Sequence, residues 1–396
     1  MKGTKGKLGK KQNIEPKEVS KNEKGITLIA LVITIIILII LATVTITLVF
    51  GEGGLIKRAQ EGKNLTDQAQ KDEQDELKGA EEFINGIIEG EGTTNPPEEK
   101  SEVEEARDNG EPFPDTTTIT DDLDNPVTVP GGFNIAEDSG TKVEEGIVIE
   151  DSNDNQFVWI PVGEYKVSTS INSTGKLTNE LSRRTFSNSG AILVEGDSVI
   201  SSYYYGEGNE NSVAKEQIAY FQTSATSNKG FYIGRYEQGE GNVCKAGVNP
   251  YANITRDNAK IQAETMYSGN DYVTSQLISS YAWDTALNFI CQTNEEGYLL
   301  STTTDKNYGN IGTYNITKTG EYEIDNYSKI HDFLGNCFEW TTEYSNNTLN
   351  NKNYSCTGRG GYYFNSSYYS AYRSSYGTEY MGYDSFRIQL YINPTN

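Results

Sequence analysis

The sequence predicts an irregular α+β domain carried behind a long apolar helix and an acidic linker, and three observations support that fold class. Residues 26–50, "ITLIALVITIIILIILATVTITLVF", contain no charge over about 38 Å of helix, enough to cross a bilayer. Residues 90–125 are mostly Glu, Asp, Thr, Pro and Asn, with sparse apolar side chains. Beyond Pro126, short apolar runs such as "EGIVIED", "QFVWIPVGEY" and "KGFYIGRYEQ" alternate with Gly, Asn, Ser and Asp turns. Such punctuation indicates short strands.

The leader, residues 1–25, holds eight lysines against three glutamates, although the whole chain carries a net charge of −23. The positive-inside rule therefore places the leader in the cytoplasm and the chain beyond residue 50 outside, as a single-pass cell-membrane protein. A cleaved secretory signal has a shorter apolar core than 26–50. Residues 51–89 continue as an amphipathic helix, with Leu77, Ala80, Phe83, Ile84, Ile87 and Ile88 on one face. The junction "KGITLIALVITII" resembles the type IV prepilin signal. That resemblance implies a prepilin peptidase cutting between Gly25 and Ile26, and pilin-like subunits as partners. The family's Glu at the fifth mature position is Ala30 here, which favours a pilus-tip or minor subunit, or a simple anchored protein, over a place in a filament shaft.

The segment 90–125 reads as an extended, disordered linker, because it has too little apolar surface to offset its ordering entropy. An acidic body does not bind nucleic-acid backbones, which need Lys and Arg to displace counterions. The four cysteines, Cys244, Cys291, Cys337 and Cys356, form no C-x-x-C pair. They leave room for one or two disulfides or for buried thiols. With His331 as the only histidine, a histidine-based zinc or copper centre and a histidine triad are both excluded.

Residues 126–396 form a domain of about 270 residues. One stretch has helical periodicity, "SQLISSYAWDTALNFICQ", with Leu277, Tyr281, Ala286 and Phe289 apolar; "GEGNENSVAKEQ" reads as a surface loop. The segments "FVWIPVGEY", "GFYIGRYE", "AWDTALNF", "DFLGNCFEWTTE", "RGG" and "FRIQLYI" follow one another in an order that resembles the formylglycine-generating-enzyme (sulfatase-modifying-factor) family. Ser385 replaces the usual Gly before Phe386. The resemblance implies a C-type-lectin-like fold. Trp159, Trp283 and Trp340 each fall inside one of these segments and are expected in the core.

The family's enzymes hold copper with a cysteine pair after the RGG, and the matching positions here are Asn365 and Ser370. Neither supplies a thiolate for a soft copper ion, so no copper and no oxidase activity are expected. The resemblance also implies a structural calcium around "GN-x-x-EW", through the carboxylates of Asp332 and Glu339 and the carbonyls of Gly335 and Cys337. Oxygen ligands suit calcium. The alternative is that Glu339 pairs with an arginine such as Arg359.

The run "YYFNSSYYSAYRSSYGTEYMGY" holds eight tyrosines and five serines, the composition of antibody paratopes. Its candidate contact residues are Tyr362, Tyr363, Phe364, Asn365, Ser367, Tyr368 and Tyr369, then Ser370, Tyr372, Ser374, Ser375, Tyr376 and Tyr380. The expected partner is a protein or a glycan. The run is similar to the C-terminal end of the variable proteins of diversity-generating retroelements, whose AAY codons are rewritten at adenines. Most residues from Tyr362 to Tyr376 are reachable from AAY, whereas Glu379 and Met381 are not.

Overall fold

In the computed structural model the described residues are 100–186, 192–194, 204–207, 212–294, 302–349, 352–365, 367–377 and 382–394. The leader, the apolar span 26–50, its continuation 51–89 and the processing pair Gly25 and Ile26 lie outside them. Glu98–Asn396 form one compact unit. Among the described residues no helix is long and apolar enough to cross a membrane.

The fold begins earlier than the sequence suggests, because the second half of the expected linker is ordered. Helix α1 (Glu102–Asn109) is capped by Ser101, whose hydroxyl accepts the Glu104 N–H at 3.2 Å, and it ends at the left-handed Gly110. Strands β1 (Thr117–Thr120) and β2 (Pro126–Val129) form an antiparallel hairpin. Val103 and Ile119 are buried, and so is Asp121, whose carboxylate accepts the Leu123, Asn125 and Val143 N–H groups. Average composition misses such a segment because a few apolar anchors suffice when a core already waits for them. Ser101→Ala is expected to lower stability by about 1 kcal/mol in urea denaturation.

The apolar runs become a six-stranded antiparallel sheet. Its strands are β3 (Phe133–Ile135), β4 (Val148–Asp151), β5 (Gln156–Pro161), β6 (Gly230–Gly234), β7 (Val273–Leu277) and β12 (Ile388–Ile392), in the order β7-β12-β6-β5-β4-β3. β6 and β12 are buried along their whole length, and Gln389 within β12 is satisfied by Ser279 and Gln276. Gly230 has no substitute here, since a Cβ would come within 2.2 Å of the Trp159 ring.

Three further helices cover the sheet. α2 (Ser212–Ser227) starts inside the stretch expected as a loop and buries Phe221 and Ala225; Phe221 meets Phe231 edge-on at 5.1 Å. α3 (Arg256–Met266) buries Ala259 and Ala263. The expected helix starts later than its periodicity suggests: Ser275 to Leu277 belong to β7, and α4 (Ser280–Thr293) begins after Ser279, which accepts the Ala282 N–H. The serine cap, not the apolar period, sets that boundary.

A second sheet is built on the long hairpin β8 (Phe338–Leu349) and β9 (Lys352–Arg359). Strand β10 (Ser374–Tyr376) pairs with β9, and β11 (Asp384–Phe386) runs parallel to β8. Trp159, Trp283 and Trp340 are fully buried, as expected. None of the four cysteines forms a disulfide. The described domain is thus mixed α+β and mostly β.

Candidate recognition site

The tract 360–377 leaves β9 through the two glycines of the RGG run, Gly360 and Gly361, at φ of 87° and 78°. Only glycine enters that region without strain. Gly360 also lets the backbone pass over Trp283, whose ring would lie 3.2 Å from a Cβ. The tract is then pinned at several points. The Trp283 Nε1–H donates to the Ser370 carbonyl at 3.0 Å, Tyr363 N–H donates to the Asn336 carbonyl at 3.0 Å, and Ser374 and Ser375 pair with Gly358 and Thr357.

Beneath the tract lies a buried network of three guanidiniums and two carboxylates. Arg359 bonds Asp284 at 2.6 Å and stacks over Trp283, and Arg183 bonds Glu343. Arg373, which the tract itself contributes, bonds Asp284, both Glu343 oxygens at 3.0 Å, and the Arg184 carbonyl. Burial disfavours the ionised form of Asp284, but Arg359 and Arg373 outweigh it and hold its carboxyl below the usual range. Burial also works against charge on Arg373, and its two carboxylates more than restore it.

On this frame the tyrosines form a continuous belt. Tyr362 stacks on Tyr383 at 4.2 Å and lies 5.9 Å from Tyr368; Phe338 contacts both Tyr362 and Tyr368. Tyr368 meets Tyr372 at 4.7 Å, and Tyr372 meets Tyr369 at 5.5 Å. In the other direction Tyr363 leads to Phe364, and Phe364 to Tyr314. Ser367 is exposed and donates its N–H to Asn365 Oδ1 at 2.9 Å.

Not every expected contact residue belongs to this face. Ser370 is fully buried under the tract and is removed from the surface set; its carbonyl is an anchor. Ser375 is half-buried and its hydroxyl bonds Ser345, so it faces the frame. Tyr376 is placed by its β10 pairing with Cys356, and Tyr380 lies outside the described residues. Sequence reasoning missed Tyr383, Phe338 and Tyr314. Tyr383 belongs to the same aromatic run, but Tyr314 comes from a separate loop with no pattern to mark it.

That loop is held by two asparagines. Asn336, at φ 55°, accepts from Asn310 Nδ2 and from Thr317 N–H, both at 2.9 Å, and donates to Glu237 at 2.6 Å. Thr313 N–H donates to the Tyr363 carbonyl at 2.8 Å. Tyr314 at the tip adopts φ 72° and is 71% exposed. A bulky residue there is strained by about 1 kcal/mol or more. Tyr314→Gly is therefore expected to raise the urea midpoint by roughly 1 kcal/mol of stability.

The expected calcium residues Asp332 and Glu339 come together at Arg387. Glu339 pairs with Arg387 and not with Arg359, through both carboxylate oxygens at 2.6 and 3.0 Å. Asp332 Oδ2 accepts the Gly320 N–H at 2.7 Å, whereas its buried Oδ1 has no hydrogen-bond partner. Burial pushes Asp332 up to about 6 and Glu339 up to about 7. Glu237 and Asp325 are also raised, by burial first and then by the Asp332 charge. Among the described residues no three His, Cys, Asp or Glu side chains surround one point as a metal group. The free Asp332 oxygen fits a hard cation, while the Glu339 carboxylate is already engaged. His331, buried and stacked on Tyr236 at 5.0 Å, is lowered to about 3, first by burial and then by Arg235 and Arg387. It stays neutral and belongs to the core.

Comparison with protein families, with characterised proteins and with solved structures found no match to this chain.

Proposed function

We propose that the protein is a cell-surface-anchored binding protein that presents the belt from Tyr314 to Tyr372 to a ligand. The observation that carries this reading is the continuity of a half-exposed aromatic surface fixed on a buried ion-pair frame. Tyrosine offers broad, rigid contact area at low entropy cost, and serine and asparagine add adaptable hydrogen bonds. The domain is read as C-type-lectin-like on the resemblance of its ordered motifs, and residues 26–50 as its membrane anchor. Asn365 and Ser370 in place of a thiolate pair support binding over copper-dependent oxidation.

The test is a full-length chain in detergent screened on a glycan array and a phage-displayed peptide library. Hits are expected to lose at least about tenfold in affinity when Tyr368 and Tyr369 are both alanine. Binding that persists undiminished in this variant sinks the reading. Diversification of the tract has its own check in the gene. A near-copy of the 3′ end that differs only at adenines, beside a reverse transcriptase gene, is the expected finding; a locus with no such copy marks a fixed receptor.

We further propose calcium at Asp332, with the Gly335 and Cys337 carbonyls as the remaining oxygen donors. A carboxyl whose folded value lies above its unfolded one stabilises at low pH and loses that contribution as pH rises through the folded value. For Asp332 that loss runs from the ordinary carboxylate range to about 6, and for Glu339 to about 7. Calcium replaces the proton, so it is expected to raise the melting temperature near pH 8 and to do little near pH 5. An unchanged melting temperature at the higher pH removes the ion from the site.

A further inference from the structure

Of the six large apolar side chains exposed among the described residues, two touch each other: Tyr314 and Phe364. Their ring planes stand at 77° with centroids 5.5 Å apart, so their outer faces meet as adjoining walls. Tyr363 stands at 76° to Phe364, and Tyr362 at 86° to Tyr363, which continues the right-angled series. The corner is built from two separate parts of the chain. One wall comes from the aromatic tract and the other from the loop fixed by Asn310 and Asn336.

The backbone at Tyr314 is strained in order to hold an exposed ring. Strain of that kind persists where the surroundings impose it, and it clusters at ligand sites. The surroundings here are visible: Thr313 is tied to the Tyr363 carbonyl, and Asn310 donates to the Asn315 carbonyl at 3.2 Å, just past the tip.

The charge distribution tells which ligand chemistry suits the corner. Residues 311–317 carry no charge, and Arg373 is the only charged residue in 360–377. Its guanidinium is spent below the surface on Asp284 and Glu343. The chain as a whole is at −23. Aromatic faces carry the negative pole of the ring quadrupole and attract a cation set against them. An anion would meet repelling faces on an acidic body, and a neutral sugar would gain nothing from the charge. Resting on the recognition reading, we propose that the Tyr314–Phe364 corner seats a Lys or Arg side chain of a basic protein partner. Long-range attraction between that partner and the acidic body speeds encounter, and the corner fixes the register.

The experiment pans a phage-displayed library of random peptides against the full-length chain in detergent. Enriched peptides are expected to carry Lys or Arg. Tetramethylammonium chloride should displace them more effectively than sodium chloride at equal ionic strength, because both salts screen but only the organic cation occupies ring faces. Tyr314→Leu and Phe364→Leu, both exposed and checked for unchanged melting, should each weaken binding about fivefold. Enrichment of uncharged or acidic peptides, no enrichment over the blank, or equal effects of the two salts overturns the inference. Binding insensitive to both leucine variants but lost in the Tyr368/Tyr369 double alanine overturns the corner and keeps the recognition surface. Binding insensitive to all four positions overturns both.

Discussion

Arg387→Ala is expected to cost the domain about 5 kcal/mol of stability. The guanidinium is fully buried and spends its donors on Glu339 and on the carbonyls of Gly234, His331 and Asp332. It also lies over the Phe333 ring at 5.4 Å. Removing one partner of a buried pair costs about 3–5 kcal/mol, because the other charge stays behind without water. Here Glu237, Asp325 and Glu339 are all disfavoured as anions by burial and also feel the Asp332 charge, so the upper end applies. A loss of about 5 kcal/mol takes from a third to all of the ~5–15 kcal/mol that a domain has. Urea denaturation followed by circular dichroism measures it, and a variant within about 1 kcal/mol of the parent refutes it. The variant should regain stability on acidification, since its carboxyls fold best when protonated. Pairing Arg387→Met with Glu339→Gln should recover part of the loss, as apolar or neutral replacement of a whole buried pair often does.

The second large effect is expected of Asp284→Asn. Asp284 accepts from Arg359, from Arg373 and, at 2.9 Å, from the Arg184 N–H. With an amide there, three buried guanidiniums face the single carboxylate of Glu343. The cost is again about 3 kcal/mol or more, but the place of failure differs. Arg373 is the tract's own anchor, so the tract should become cleavable by protease at denaturant levels where the six-stranded sheet still holds. Limited proteolysis read by mass spectrometry tests this. Cuts that appear only with global unfolding count against it. The parent's pH dependence has the opposite sign at this site. Arg359 and Arg373 depress the Asp284 carboxyl against its burial, so its contribution is present at neutral pH and lost as pH falls through the depressed value. Asp332 and Glu339 lose their contribution as pH rises from the ordinary carboxylate range to about 6 and about 7, so maximal stability should lie near the ordinary carboxylate values, at roughly pH 4.

The strands of the central sheet were legible because their apolar runs are short, punctuated and buried on both faces, as in "QFVWIP" and "GFYIG". The three tryptophans read correctly because large aromatics in a turn-rich domain have few places to go but the core. Segments whose structure depends on distant partners were not legible. Helix α1 docks through Val103 and Ala106 alone among its apolar residues, and α2 hides behind a Gly- and Asn-rich entrance. Glu339 was read as a calcium ligand or a partner of Arg359, yet it meets Arg387, 48 positions away. Within the aromatic tract, composition identified the run but not its sides. Ser370 and Ser375 look like their neighbours in sequence, and only the fold turns them inward. Tyr314 carries no local signal, since its place beside Phe364 depends on hydrogen bonds from Asn310 and Asn336.

Strand β12 follows the aromatic tract in the chain, yet it sits between β6 and β7 in the interior of the larger sheet. Any frameshift or stop codon within 362–383 therefore deletes Ile388, Leu390 and Ile392 from the core, along with Arg387. Such a chain cannot close its sheet and is left to proteases. Folding thus acts as a reading-frame check on the aromatic tract that precedes this strand.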